Sequence, residues 1–241
     1  MSEPLDRFLV RRIRRTWSDV HILVQRRRVT VNGVSCPYYH RALKAGDVVA
    51  VDGVPVADGA EDGVVLCHKP AGVACSHQLE HAPLLYDLVP AHLRHPDLQA
   101  AGRLDRGTTG LIVLTIEGTL IQRLTSPGRS WKRYTLRWRG RLASDAPLQA
   151  AAGMTLPDDP VPCRPARLDL RPDADGDGGI ATIELCEGRN HQVKRMVRAW
   201  GGEVVSLHRD RLGRLDLPDD LAPGAMRPAR ADEVARLLEA G

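Results

Sequence analysis

The pattern of apolar and polar positions separates a short, mainly helical beginning from a longer region with the character of β-strands. Residues 5–15 place apolar side chains at helical spacing between arginines, and residues 20–24 form a second short apolar run. Each predicts a helix that buries an apolar stripe and exposes guanidinium groups. Residues 29–33, VTVNG, predict a strand that enters a turn, since Asn-Gly favours positive φ, and residues 47–53, DVVAVDG, form a second such unit.

Downstream, strands are predicted where apolar residues run together or alternate with polar ones. Six segments meet that description: residues 64–67, 111–114, 132–138, 166–170, 180–185 and 203–209. In the third of them, Tyr134, Leu136 and Trp138 share one face, which is expected to be buried. A short helix is predicted over residues 119–125, where Ser126-Pro127 ends it.

A longer amphipathic helix is predicted after Asn190, which is its expected N-cap. One face carries basic side chains at positions i, i+3, i+4 and i+7: His191, Lys194, Arg195 and Arg198. The opposite face is apolar and expected to be buried: Val193, Met196, Val197 and Trp200. The spacing by itself leaves open whether the basic face is merely solvated or binds an anion.

The charge of the chain is unevenly distributed. Its 241 residues are 43% hydrophobic and 27% charged, which suits one large domain or two unequal ones. The net charge is +4, but residues 1–57 hold ten Lys and Arg against five Asp and Glu. This excess predicts that the beginning of the chain contacts a polyanion. Five cysteines without CxxC spacing, and no signal peptide or membrane-length apolar run, predict a soluble cytoplasmic protein.

Two short patterns match metal sites but stand in unsuitable contexts. Residues 77–81, HQLEH, match a zinc peptidase pattern that requires both histidines on one stable helix. Their position between a glycine turn and Pro83 predicts a polar loop instead. Residues 173–178 with Glu184 satisfy the EF-hand loop pattern, which requires a helix on each side. Because strands flank this segment, we predict a hairpin with an acidic tip and no metal site.

Residues 101–115, AGRLDRGTTGLIVLT, combine a carboxylate, two guanidinium groups and a buried strand. Asp105 lies between Arg103 and Arg106, among glycines that permit tight backbone paths. The pattern indicates a charged side chain held on a turn at the edge of a sheet. These residues alone are compatible with an ordinary ion-paired loop or with a reactive site.

The string GRLDRGTTGL resembles the catalytic motif of the pseudouridine synthases of the Rsu and Rlu types, enzymes that isomerise uridine in ribosomal RNA. Residues 132–136, KRYTL, resemble the second motif of this family, and residues 187–196, EGRNHQVKRM, resemble the third. The string HKPAG at residues 68–72 is similar to a further family segment that usually begins with asparagine. The resemblance extends over essentially the whole chain, with the motifs in the expected order.

The resemblance implies an α+β fold in two domains. Residues 1–57 resemble the RNA-binding domain of the ribosomal protein S-four type, in which two helices pack against a small sheet. Residues 58–63 would form a linker. Residues 64–241 would form the pseudouridine synthase catalytic domain, a mostly antiparallel mixed β-sheet flanked by helices, with a terminal helix around residues 232–238.

The resemblance also implies roles for individual residues. Asp105 would be the catalytic carboxylate, Tyr134 would contact the target uracil, and Lys194 would pair with Asp105 where many relatives carry arginine. Arg103 would occupy the space that a flipped-out nucleotide vacates. Further RNA contacts are expected from Arg106, His191, Gln192, Arg195, Arg198, Arg11, Arg12, Arg26, Arg27 and Arg28.

Uridine isomerisation breaks the bond from N1 to the ribose, turns the uracil and rebuilds the link through C5. The reaction is redox-neutral and needs no external group, so no cofactor is expected. Asp105 would either attack the anomeric carbon as a nucleophile or act as a base at the sugar, and the residues leave both routes open.

The third motif, the strand that follows it and the string LAPG at residues 221–224 are most similar to the small-subunit enzymes. The expected substrate is therefore a uridine of 16S ribosomal RNA, presented by a ribosome-assembly intermediate to a monomeric enzyme. A large-subunit (23S) enzyme and a non-catalytic RNA-binding or ribosome-assembly protein are the alternatives. An RNA glycosidase is a third, and it would release free uracil. The intact set of Asp105, Tyr134 and Lys194 argues against the non-catalytic reading.

Overall fold

The computed structural model describes residues 3–13, 15–56, 63–76 and 82–239. Most of the predicted linker and the zinc-like string at residues 77–81 lie outside the described residues. The described chain is α+β, as predicted, with six α-helices, one short 3-10 helix and three β-sheets. None of the helices in these ranges is long and apolar enough to cross a bilayer.

The first part of the chain packs two helices beside a small sheet. Both predicted helices are present, as α1 (Leu5–Ile13) and α2 (Trp17–Gln25). The strands here are β1 (Glu3–Pro4), β2 (Val29–Val31), β3 (Val34–Ser35), β4 (Ala42–Leu43), β5 (Val49–Val51) and β6 (Val54–Pro55). Four of them form an antiparallel sheet in the order β3-β2-β5-β6, and β1 pairs with β4. Positive φ angles at Asn32-Gly33 and Asp52-Gly53 confirm the two predicted turns.

A nine-stranded sheet forms the body of the remaining chain. Its strands are β7 (Val64–Lys69), β8 (Gln99–Ala100), β9 (Thr109–Thr115), β10 (Lys132–Arg139), β11 (Arg167–Pro172), β12 (Gly178–Leu185), β13 (Glu203–Leu212), β14 (Leu215–Asp216) and β15 (Met226–Pro228). The main path runs β11-β12-β10-β13-β9-β7-β15, while β14 pairs with β13 and β8 pairs with β9. Every pairing is antiparallel except that of β13 with β9, so the predicted mostly antiparallel mixed sheet is confirmed.

The sheet is accompanied by α3 (Gly118–Thr125), α4 (Ala146–Ala152), α5 (Gln192–Ala199) and α6 (Ala231–Leu238). Helix α5 buries its apolar face as predicted, since Val193, Met196, Val197 and Trp200 are all at most 5% exposed. The predicted N-cap was wrong by one residue: the cap is His191, not Asn190, and it makes no side-chain capping hydrogen bond.

The parallel junction between β13 and β9 lies in the middle of the sheet and requires a glycine. Arg209 pairs with Gly110, which has a φ of 109°. A Cβ atom on Gly110 would lie 2.2 Å from the carbonyl oxygen of Arg209. Because the two backbones could separate only by losing their pairing, no larger residue fits here. Lys69 pairs with Gly110 on its other side, so the junction adjoins the turn that carries Asp105.

The acidic segment at residues 173–177 is the tip of the antiparallel hairpin formed by β11 and β12. Asp173 pairs with Arg137 at 3.0 Å, and the Asp175 carboxylate accepts a hydrogen bond from the backbone N–H of Asp177. Strands on both sides confirm the hairpin prediction over the EF-hand alternative.

The first helix docks onto the sheet through a buried carboxylate. Glu117, which precedes α3, is 6% exposed and binds the guanidinium groups of Arg7 and Arg11. The Arg12 guanidinium lies 4.3 Å from the ring centre of Phe8 on the same helix. Two of the predicted RNA contacts, Arg11 and Arg12, thus make contacts within the protein.

Candidate active site

The three motif strings meet at a cleft of about 590 Å³. The turn at residues 102–106 forms one side, and residues 187–194 form the other. Tyr134, Leu185 and Leu207 contribute the apolar part of the lining from strands β10, β12 and β13. Segments that are distant in the sequence therefore face one another across a space large enough for a nucleoside.

Asp105 has two nitrogen-bearing side chains beside it in this cleft. Its Oδ2 atom lies 2.7 Å from Nζ of Lys194, and its Oδ1 atom lies 3.4 Å from Nε2 of His191. A quarter of the Asp105 side chain is exposed. The structure thus brings together the two residues that the family resemblance pairs, and leaves one edge of the carboxylate open to the cleft.

The turn of Asp105 is held by the buried ammonium group of Lys69. Its Nζ atom donates to the carbonyl oxygens of Pro70 at 2.9 Å, Arg106 at 3.2 Å and Thr108 at 2.8 Å. The Lys69 side chain is fully buried, and burial lowers its pKa. The sequence reasoning missed this role. The Lys-Pro string was noted as a family segment, but no local pattern shows which carbonyl groups the ammonium binds.

The opposite side of the cleft is held by a buried carboxylate. Glu187, 4% exposed, accepts hydrogen bonds from the backbone N–H of Arg164 at 2.9 Å and from Nε2 of Gln192 at 2.7 Å. Oε1 of Gln192 in turn accepts from the backbone N–H of Arg189 at 3.0 Å. Gln192 was predicted to contact RNA, but its amide is occupied inside this loop. Glu187 is the second site residue that sequence reasoning missed.

Two buried cationic side chains lie on strands β10 and β13, next to residues that line the cleft. Tyr134 faces the cleft from β10, and Lys132 lies two residues earlier on the same buried face. Arg209 is 1% exposed and donates from Nε to the carbonyl oxygen of Leu111 at 2.7 Å. Burial, and then the Arg209 charge, lower the pKa of Lys132 from 10.5 to about 8.

The arginines predicted to contact RNA fall into two groups. Arg103 and Arg198 are exposed, and Arg103 makes no hydrogen bond or ion pair within the part of the chain that the structure describes. Arg106 is exposed and donates to the carbonyl oxygen of Gly72 at 3.3 Å. Arg195, by contrast, is bound to Asp158 at 2.5 Å.

Three further arginines predicted to contact RNA follow the second helix of the first part of the chain. Arg26, Arg27 and Arg28 are all exposed. Arg28 also pairs with Asp52 across the turn of β5 and β6, with Nε and Oδ1 2.7 Å apart. This group is therefore accessible, with one of its three charges partly neutralised.

Comparison with known proteins gives the same picture over most of the chain. A solved structure titled "Crystal structure of pseudouridylate synthase" superposes with a TM-score of 0.64 and 29% identity, covering 97% of this chain and 99% of that one. The matched fold is therefore that of a pseudouridylate synthase. The family model described as RNA pseudouridylate synthase matches residues 63–199. The chain belongs to the RNA pseudouridylate synthase family.

Curated relatives extend the similarity to almost the full length. The protein named "Ribosomal small subunit pseudouridine synthase A" of Yersinia pestis is 35% identical over 235 residues, covering 96% of each chain. The protein of the same name in Escherichia coli K12 is 34% identical over 237 residues, covering 97% of this chain and 99% of its own. The similarity therefore includes the first part of the chain, which the family model does not match.

Proposed function

We propose that this protein isomerises one uridine of small-subunit (16S) ribosomal RNA to pseudouridine, with Asp105 as the catalytic carboxylate. The observation that carries the proposal is the contact of Asp105 with Lys194 at 2.7 Å inside the cleft. The small-subunit substrate is supported by the names of relatives that match almost the full chain.

Asp105 acts at the sugar, where the bond from N1 to C1′ must break. Lys194 balances its charge and orients it, since an ammonium 2.7 Å away makes a charge-assisted hydrogen bond. A quarter of the Asp105 side chain remains exposed. This arrangement serves a carboxylate that attacks the anomeric carbon as well as one that removes a proton from the sugar.

Tyr134 and its apolar neighbours hold the uracil. The phenol ring lies on the cleft wall with Leu185 and Leu207, and it offers both a face for stacking and a hydroxyl for hydrogen bonding. A base inside a helix cannot reach this wall, so the nucleotide must be flipped out. Arg103 occupies the space that the base leaves, and its exposure on the cleft supports this role.

The first part of the chain supplies further affinity for RNA. Its two helices beside a small sheet agree with an S-four-like module at residues 1–57, joined by residues 58–63 to a catalytic domain at residues 64–241. Arg26, Arg27 and Arg28 are its accessible cations, and Arg106 and Arg198 add charge near the cleft. The substrate is a ribosome-assembly intermediate, and the enzyme works as a monomer in the cytoplasm.

The test maps pseudouridine in ribosomal RNA from cells that lack this protein. A carbodiimide that marks pseudouridine produces reverse-transcription stops. One stop in small-subunit RNA should vanish in these cells, return with the wild-type gene and stay absent with Asp105→Asn. The purified Asp105→Asn protein should still bind the RNA, since the substitution keeps the side-chain shape.

Asp169→Asn is the matched control, because Asp169 lies on β11 with two thirds of its side chain exposed. That variant should restore the stop fully. A stop lost from large-subunit RNA would contradict the substrate assignment while preserving the chemistry. No lost stop in either RNA would favour a non-catalytic RNA-binding protein, and free uracil in the reaction would indicate a glycosidase.

A further inference from the structure

The isomerisation moves one proton that the residues discussed so far do not handle. When the uracil is rejoined to the ribose through C5, that carbon carries both the new bond and its original hydrogen. The hydrogen must leave C5 as a proton, and N1, released from the ribose, must gain one. No electron is lost or gained, so the cleft needs a group that accepts a proton at carbon and releases it again.

Most ionisable groups in the cleft are committed to other bonds. The Asp105 carboxylate binds Lys194, and the Glu187 carboxylate accepts hydrogen bonds from the backbone of Arg164 and the amide of Gln192. The guanidinium groups that line the cleft have no lone pair with which to accept a proton.

His191 has both the position and the freedom to serve. Its side chain is 57% exposed, and its Nε2 atom faces Oδ1 of Asp105 at 3.4 Å. That distance is too long for a strong hydrogen bond. Lys194 already balances the carboxylate from its other oxygen at 2.7 Å. The imidazole is therefore available to the substrate, and histidine is the side chain type that both accepts and donates protons near neutral pH.

The backbone at His191 is held in an uncommon conformation. Its φ and ψ are 51° and 28°, in the left-handed region. The other described non-glycine residues with positive φ, namely Arg27, Asn32 and Asp52, all lie in turns of the first part of the chain. A left-handed residue other than glycine is strained, and the hydrogen bonds of the 187–192 loop offset that strain here. The conformation places the ring on the cleft.

We propose that Nε2 of His191 removes the proton from C5 and returns it to N1. This inference rests on the proposed function, because it is one step of the same isomerisation in the same cleft. After the C5–C1′ bond has formed, the C5–H bond breaks and the proton passes to the imidazole. The electron pair of that bond forms the C5=C6 double bond, and the N1=C6 pair moves onto N1. N1 then takes the proton from the imidazolium, which regenerates neutral His191.

The test uses the full-length enzyme and two RNA transcripts that span the mapped target, one with uridine and one with 5-fluorouridine at that position. Fluorine cannot leave C5 as a cation, so the second RNA rearranges without a base acting at C5. The variant is His191→Asn, because asparagine tolerates the left-handed backbone. Single-turnover isomerisation of uridine should fall about a hundredfold or more. Rearrangement of 5-fluorouridine should stay within about threefold of the wild type, since no proton leaves C5.

A deuterium label at C5 of the target uridine gives a second readout. In the His191→Asn variant, cleavage of the C5–H bond becomes the slow step, so the isotope effect on the single-turnover rate should rise above that of the wild type. A residue that only positions Asp105 would slow an earlier step and leave the isotope effect unchanged.

Two variants complete the comparison. Asp105→Asn should abolish the reaction of both RNAs, because it blocks cleavage of the N1–C1′ bond. A selective loss on uridine with Tyr134→Phe, but not with His191→Asn, would overturn the proposal and assign the base to Tyr134. Equal losses on both RNAs with His191→Asn would also overturn it. Wild-type enzyme that leaves both RNAs unchanged would contradict the proposed function itself, and this inference with it.

Discussion

The two sides of the cleft are fixed by buried charges of opposite sign. On the Asp105 side, the Lys69 ammonium donates to three backbone carbonyl groups of the adjoining segments. On the His191 side, the Glu187 carboxylate accepts hydrogen bonds from backbone and side-chain N–H groups. Both segments are irregular, so their backbone groups lack the partners that helices and strands supply. A buried charge in each segment replaces those partners.

The two sides of the cleft depend to different degrees on their buried charges, Lys69 and Glu187. Among the described residues, Lys69 donates to uncharged carbonyl groups alone. Burial lowers its pKa, with Cys75, Cys67 and Asp105 opposing the shift. The loop around Glu187 is also held by hydrogen bonds that do not involve the Glu187 carboxylate. Arg189 also binds Asp159 at 2.9 Å and the carbonyl oxygen of Val161 at 2.6 Å. We therefore expect removal of the Lys69 charge to destabilise the Asp105 side more than removal of the Glu187 charge destabilises the His191 side.

The largest effect is expected from Lys69→Met. The substitution keeps the apolar stem but leaves the carbonyl groups of Pro70 and Thr108 without their donor, whereas the Arg106 carbonyl keeps the backbone N–H of Gly72 at 2.8 Å. Each carbonyl group left without a donor costs about 1–3 kcal/mol. The free energy of unfolding should fall by about 3 kcal/mol or more, and isomerisation should fall because the Asp105 turn shifts. Urea unfolding and single-turnover rates measure the two effects. Lys44→Met, at an exposed lysine, is the matched control, and equal unfolding midpoints for both variants would contradict the role of Lys69.

A smaller effect is expected from Glu187→Gln. Glutamine has the same shape and keeps one acceptor oxygen, but it loses the charge that faces Nε of Arg189 at 3.4 Å. We expect a loss of about 1–2 kcal/mol in the free energy of unfolding. The kcat value should fall more than KM changes, because the loop sets the approach of Lys194 to Asp105. Glu184→Gln on β12 is the control, and the same kcat for both variants would argue that the loop holds without the Glu187 charge.

The difference between the two sides also explains what the sequence could predict about the site. Asp105, Tyr134 and Lys194 stand in strings that resemble known motifs, so the side chains facing the cleft were identified in advance. The groups that hold them were not. The carbonyl groups of Arg106 and Thr108 come within reach of Lys69 because β7 pairs with β9, and that register is a tertiary property.

Helices and strands could be predicted where their apolar residues recur at a clear spacing. Strands with alternating or continuous apolar residues were found, whereas helix α4, APLQAAA, has no polar face to reveal it. The strand predicted at residues 203–209 is present as β13, but its place at the centre of the sheet and its parallel pairing with β9 depend on tertiary structure that no local pattern shows. Alternation on β10 correctly predicted the burial of Tyr134, yet the same face also buries Lys132, which a hydrophobicity pattern counts as exposed.

Lys132 gives the smallest expected effect, and it tests whether the Glu187 charge acts beyond its own loop. Its Nζ atom donates only to the carbonyl oxygen of Ser130, at 3.1 Å, among the described residues. Burial and the Arg209 charge lower its pKa from 10.5 to about 8, although Cys186 and Glu187 oppose the shift. Above about pH 8 the folded protein therefore releases a proton that the unfolded chain keeps up to about pH 10.5.

The unfolded state thus binds more protons in this window, so the contribution of Lys132 to stability rises with pH. Between pH 7 and pH 9 the wild type should gain about 1 kcal/mol in free energy of unfolding relative to Lys132→Met, whose side chain does not titrate. Urea unfolding of both proteins at several pH values measures the difference, in which the titration of all other groups cancels. Parallel stability curves would mean that the Glu187 carboxylate keeps Lys132 charged, and that the two buried charges act as a pair. A difference that rises with pH would mean that the Glu187 carboxylate stabilises its own loop and does not keep Lys132 charged. The buried charge on each side of the cleft would then act within its own segment, as the Lys69 ammonium does at the Asp105 turn.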